Sequence, residues 1–96
     1  MAVYFIGQIT VKDDKIWQEY VSGIGESLAL FDCRIVFRGQ LVEILAGQHG
    51  HDLVVVIEFH DQSTLDNWYG SETYQALIPL RDKAADVTIT TYKTYT

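Results

Sequence analysis

One cysteine, one proline and a shortage of positive charge set the first limits on this 96-residue chain. Cys33 alone makes no internal disulfide and offers no zinc-ligand spacing. It reads as a small residue at the start of a strand, with a reactive thiol as the alternative. Seven Lys and Arg stand against thirteen Asp and Glu, a formal net charge of −6. With no basic cluster to offset it, that balance argues against a nucleic-acid backbone or an anionic membrane as partner. No apolar run approaches the ~18–20 residues that span a bilayer. Met1-Ala2-Val3-Tyr4 enters a strand without a basic n-region or an apolar h-region, so the expected location is the cytoplasm. The chain has no internal repeat and no low-complexity linker. It also has no Gly-rich phosphate loop, nucleophile elbow or Ser/His/Asp arrangement.

What is present suits one small domain over residues 1–96 with a modest core. Val3–Val11 alternates Val3, Phe5, Gly7, Ile9 and Val11 with Tyr4, Ile6, Gln8 and Thr10. Neither set is cleanly polar, which predicts a central strand covered on both faces. Asp13 or Asp14 caps a first helix. Ile16, Tyr20, Ile24 and Leu28 form its stripe, flanked by Trp17 and Val21, and the helix is expected to end near Phe31-Asp32. Gly23 and Gly25 weaken it and mark a bend or a close approach of another backbone. Arg34–Arg38 reads as the second strand, with Ile35 and Phe37 on one side and Arg34, Val36 and Arg38 on the other. Gly39-Gln40 then reads as a turn, Leu41–Ala46 as a continuation or hairpin arm, and residues 47–52 as a loop.

Leu53–His60 is a dense, β-branched run, expected as a strand buried on both faces. Ser63 is read as an N-cap with Asp66 three residues on, and Gly70 as a left-handed C′ stop. Ser71 caps the next piece, and Pro79 starts another that runs to Ala85. Val87–Tyr95, rich in Thr and Tyr, suits an edge strand. The order βα-β(β)-βα-β is the α+β, ferredoxin-like split βαβ sandwich, with helices on one face of an antiparallel sheet. Tyr4, Ile6, Val54 and Val56 are then left on the second face. A second copy of the chain is its simplest cover, so a homodimer is expected.

The candidate site residues cluster late in the chain. Trp68, Tyr69 and Tyr74 cross the helix break, with Arg81 beyond them. They read either as a pocket wall that stacks on a flat ligand while Arg81 fixes its polar end, or as core with Arg81 paired to Glu58 or Glu43. Glu58 sits in an apolar run. It is either a general base with a raised pKa or half of an ion pair with Arg34, Arg38 or Arg81. Arg34 and Arg38, at i and i+4, would lie roughly 13 Å apart on one strand face, too far to grip one small anion together. Arg38, beside Gly39, is the better ligand candidate. His60 reads as a surface residue sharing a face with Glu58. His49-Gly50-His51-Asp52 has metal-ligand types, but one short loop supplies only part of a coordination shell. No metal site and no cofactor are therefore assigned.

These residues together resemble the small family of unknown function numbered 1330, in the dimeric α/β-barrel superfamily. The resemblance covers nearly the whole chain. It rests on Trp17-x-x-Tyr20, and on Arg34-x-x-x-Arg38-Gly39 followed by Val42-Glu43-x-Leu45-x-Gly47. Val55-Val56-Ile57-Glu58-Phe59, Trp68-Tyr69-x-Ser71-x-x-Tyr74-Gln75, Arg81 and Ala84-Ala85 complete it. The chain departs from relatives at Asp32-Cys33, where they tend to carry Gly-Gly, and at His60, where they tend to carry Pro. The resemblance implies a ferredoxin-like fold and a homodimer, and no assigned activity. Superfamily neighbours include cofactor-independent monooxygenases, muconolactone-isomerase-like proteins and haem-binding proteins, a fold-level analogy only.

Three readings follow. The first is a homodimer with a small pocket between sheet and helices, binding a small aromatic or carboxylated metabolite. Arg38, Glu58, Trp68, Tyr69, Tyr74 and Arg81 would be its residues, and proton transfer or cofactor-free oxygenation an extension of it. The second is a non-catalytic structural or binding dimer. The third, a haem or metal binder, has the least in the sequence to support it.

Overall fold

The computed structural model describes residues 1–95. Four strands pair antiparallel in the order β2-β3-β1-β4, with β1 at Val3–Val11, β2 at Cys33–Gln40, β3 at Leu53–Phe59 and β4 at Ala85–Lys93. The helices α1 (Asp14–Leu28), α2 (Gln62–Tyr69), α3 (Glu72–Gln75) and α4 (Ile78–Ala84) fall between them. This is the ferredoxin-like α+β arrangement, with β1 and β3 interior and β2 and β4 at the edges.

The strict alternation in β1 becomes two faces. Val3, Phe5, Gly7 and Ile9 are buried under the helices, and Tyr4, Ile6, Gln8 and Thr10 are half-buried on the outer face. The same register puts Leu53, Val55, Ile57 and Phe59 of β3 beside the buried set. Tyr20, Ile24 and Leu28 of α1 close over them, so that helix presents the stripe its sequence predicts. Trp68 is the hub. It is fully buried, meets Phe5 edge-on at 5.3 Å and packs against Phe59 and Tyr74. Its indole N–H donates to Ser27 Oγ at 2.9 Å, and the Ser27 hydroxyl donates to the Ile24 carbonyl, so the buried polar atoms are satisfied.

Several local expectations are corrected. Helix α1 stops at Leu28, earlier than Phe31-Asp32, and Asp13 is its cap. Of its glycines, Gly23 faces the side chain of Leu77 rather than a backbone, and Gly25 faces open space. Gly39-Gln40 is no turn, because β2 continues through both residues opposite Val54 and Leu53. Residues 41–52 form an irregular arm instead of a strand. After Leu41 N–H bonds the Asp52 carbonyl, the arm has no partner strand among the described residues. The N-cap of α2 is Asp61, whose carboxylate accepts from both Thr64 N–H and Thr64 Oγ1, so Ser63 lies inside the helix. Gly70 ends α2 at φ −82°, right-handed rather than left-handed. Ser71 and Pro79 act as expected, Ser71 as the cap of α3 and Pro79 in the first turn of α4. The last strand begins earlier than Val87, at Ala85, and ends at Lys93.

The largest correction is in β2. The pairing shifts between Ile35 and Phe37, leaving Val36 as an extra residue in a β-bulge. Past the bulge, inside and outside exchange. Ile35 pairs Ile57 on the helix face, Phe37 pairs Val56 on the outer face, and Arg38 pairs Val55 on the helix face again. Arg34 and Arg38 therefore lie on opposite faces of the sheet. No described helix is long and apolar enough to cross a membrane.

Candidate functional site

A cavity of about 200 Å³ lies between α1 and the helix face of the sheet. Its sheet side is set by Gly7, Val55 and Ile89, which sit opposite one another on β1, β3 and β4. Its helix side is set by Trp17, Tyr20 and Val21 of α1. The charged members of the lining are Arg38 and Arg81, and no Asp, Glu or His belongs to it.

Arg81 is held in place from behind. It sits on α4, which carries Pro79 in its first turn and which the Leu77 carbonyl anchors through Arg81 N–H. Its Nη1 donates to Tyr69 Oη at 3.2 Å and to Tyr74 Oη at 3.1 Å, and its Nε meets Asp82 Oδ1 at 3.1 Å. Only 13% of its side chain is exposed. Burial opposes the charge, but the bonds to the two tyrosines outweigh it and hold the guanidinium firmly protonated. Behind it, the hydroxyls of Tyr74 and Tyr20 lie 2.9 Å apart. Burial, joined by the neighbouring Tyr74, pushes Tyr20 far above its ordinary range. Burial also raises Tyr74, against the hydrogen bonds from Tyr20 and Arg81. Both phenols are therefore neutral in ordinary buffers and serve as hydrogen-bonding groups.

Of the residues expected at a site, Arg38 and Arg81 line this cavity, and Tyr69 and Tyr74 fix Arg81. Trp68 is core. Glu58 is on the other face of the sheet. There Arg34 Nε donates to Glu58 Oε1 at 2.8 Å and Tyr4 Oη donates to Oε2 at 2.7 Å. Those bonds, Arg34 first, hold the carboxyl below its usual range. Of the partners offered for Glu58 it is Arg34 that takes it, and Arg81 pairs with Asp82 rather than with Glu58 or Glu43. His60 is exposed, 3.8 Å from Asp32. His51 spans Thr10 and Thr88 on the outer face, and its ring is 6.2 Å from that of His49. Among the described residues, no group of three or more His, Cys, Asp or Glu is placed to hold a metal ion. Burial raises the Cys33 thiol, which donates weakly to the Leu28 carbonyl.

Sequence reasoning missed Trp17, Tyr20 and Gly7 as site residues. All three look like ordinary core positions in a periodic pattern. The one available signal was a glycine inside a strand, which marks a close approach or a gap.

An RPA0582 protein of unknown function from Rhodopseudomonas palustris has a similar structure, with TM-score 0.85 at 14% identity, over 99% of this chain and 83% of its own. SnoaB from Streptomyces nogalater, described as a cofactor-independent oxygenase, matches with TM-score 0.72 at 10% identity, over 99% of this chain and 94% of its own. A dimeric ferredoxin-like protein of unknown function from Jannaschia sp. CCS1 matches with TM-score 0.70 at 11% identity, over 98% of this chain and 100% of its own. At such identities the likeness establishes the fold. No curated protein matches the chain. The model of the domain of unknown function family DUF1330 matches residues 2–95, nearly the whole sequence, and the chain belongs to that family.

Proposed function

We propose that this chain is a homodimeric binding protein whose cavity takes a small aromatic or otherwise apolar carboxylate, with the anionic group on Arg81 and Arg38 assisting. One observation carries the reading. An acidic chain, with thirteen Asp and Glu against seven Lys and Arg, lines its cavity with two arginines and no acidic residue. The remaining walls are mostly apolar. A preorganised guanidinium in an apolar recess is the arrangement that recognises a carboxylate on an apolar body.

Binding is favoured over proton-transfer catalysis because the lining offers no carboxylate or imidazole as a base. SnoaB is described as a cofactor-independent oxygenase, which keeps oxygenation of a bound ligand as an extension of the same site. The dimer is supported by the outer face. Phe37, Val56 and Ile6 form one row across it, and Val36, Phe37 and Tyr92 are exposed. Structural neighbours of unknown function are described as dimeric.

The test is a thermal-shift titration with benzoate, followed by calorimetry on the protein and on Arg81→Leu. Ligand at a hundred times its Kd adds ~2.7 kcal/mol, and about 4–8 °C of melting temperature per kcal/mol for a chain of this size. Arg81→Leu is expected to abolish that shift. No shift with benzoate or with other small carboxylates, or an undiminished shift in Arg81→Leu, refutes the reading.

A further inference from the structure

Across the helix face, the sheet is built in rows. Arg38, Val55, Gly7 and Ile89 occupy one row, on β2, β3, β1 and β4. In the rows on either side, β1 contributes Phe5 and Ile9, which are both buried. Between them Gly7 contributes only hydrogen. Gly7 lines the cavity there, with the side chains of Val55, Phe5 and Ile9 leaning in around it.

The backbone does not require glycine at this position. Gly47 is the one described glycine with positive φ, so Gly7 lies in the range open to every residue. Glycine inside a strand weakens it through chain entropy and lost packing. An added Cβ would stand 3.1 Å from Val55 Cγ1 and 3.5 Å from Phe5 Cε1, which is tight but close to tolerable. A methyl there would press on Val55, which must give by a few tenths of an ångström, and would project into the space above the sheet. That space, about 200 Å³, falls below the ~300–1,000 Å³ of ordinary ligand sites. It suits one ring and no more.

Resting on the carboxylate-binding reading above, the geometry points to Gly7 as the specificity-determining residue. It leaves a flat floor for a single planar ring whose carboxylate reaches the guanidinium of Arg81. Val55, its neighbour on β3, forms the wall that limits ring size.

The experiment titrates the protein, Gly7→Ala and Val55→Ala with benzoate, hexanoate and 2-naphthoate by calorimetry. Each variant is first checked for a cooperative thermal transition. A methyl on the floor obstructs a rigid ring but not a linear chain. Gly7→Ala should weaken benzoate by about tenfold or more and hexanoate by less than about threefold. Val55→Ala should admit 2-naphthoate, which the parent rejects. Gly7→Ala that folds and binds benzoate like the parent overturns the inference. Equal loss of benzoate and hexanoate overturns it too, while leaving the Arg81 site standing. Should Gly7→Ala not fold, Val55→Ala decides, and a parent-like preference in that variant overturns the inference. A parent that binds none of the three acids overturns both this inference and the carboxylate reading beneath it.

Discussion

Tyr74 Oη receives a hydrogen bond from Arg81 Nη1 at 3.1 Å and lies 2.9 Å from Tyr20 Oη. One buried hydroxyl thus joins the cation of the cavity to a second buried phenol. Tyr74→Phe keeps the ring that packs on Trp68 and Tyr69. It removes both bonds and leaves the Tyr20 hydroxyl without its partner. The expected cost is about 1–3 kcal/mol, measured by denaturant unfolding with unchanged m-value. Benzoate affinity should fall as well, because Arg81 loses one of its three side-chain partners. A variant with parent stability would show that the hydroxyl is not a structural link.

The same pair fixes a direction for pH. Both phenols have folded pKa values above the ordinary 10.0. In an unfolded chain they ionise near 10, but in the fold they keep their protons. Above that pH the native state binds more protons, so stability falls as pH rises. The stabilisation is fully present below about pH 10 and erodes above it. Melting temperatures from pH 8 to pH 11.5 should therefore drop steeply at the alkaline end, and Tyr20→Phe should flatten that drop. An equally steep drop in the variant would assign alkaline loss to other groups.

Gly23 and Gly25 are alike in sequence and opposite in environment. A Cβ at Gly23 would stand 2.5 Å from Leu77 Cδ2, and one at Gly25 would meet nothing within 4 Å. Alanine adds up to about 1 kcal/mol of helix propensity at either position. Overpacking costs about 1–3 kcal/mol, and only Gly23 incurs it. Gly25→Ala should raise the melting temperature. Gly23→Ala should lower it and recover when Leu77→Ala is added. Parallel behaviour of the two single variants would contradict the close approach of α1 and Leu77.

Much of the fold was legible because its signals are local and periodic. Alternation in β1, the stripe on α1, and the caps at Asp13 and Ser71 each act within a few residues. The failures share a cause. Asp61 and Ser63 are both good caps, and which one wins depends on where β3 releases the chain. Leu41–Ala46 has strand composition, but it has no strand to pair with among the described residues. The bulge at Val36 is a property of the ladder rather than of β2 alone, so period-two counting sent Arg38 to the wrong face. The candidate site was half legible. Arg38 was singled out for its place beside Gly39, and Tyr69, Tyr74 and Arg81 for their clustering across the helix break; Arg38 and Arg81 line the cavity and the two tyrosines hold Arg81. Gly7 was passed over because its place beside the cavity is set by its neighbours on β3 and β4, which the sequence of β1 does not show.

The bulge gives a last test, since it assigns two arginines of one strand to two different jobs. Arg38 lines the cavity on the helix face. Arg34 lies on the outer face, in a row with Glu58, Tyr4 and Tyr92 that would meet the partner copy. Arg38→Met keeps a long apolar stem and removes only the charge. It should weaken benzoate several-fold with no change in sedimentation equilibrium. Arg34→Met should leave benzoate binding unchanged. It frees Glu58 from its cationic partner, leaving only the Tyr4 hydroxyl, and in the proposed dimer that uncompensated carboxylate would face the second copy, so the equilibrium should shift toward monomer at micromolar concentration. Val56→Glu, in the next row of the same face, should shift it further. If the parent itself sediments as a monomer, the outer face is not the contact. If Arg34→Met weakens benzoate as much as Arg38→Met does, the two arginines share a face and β2 runs in uninterrupted alternation without the bulge.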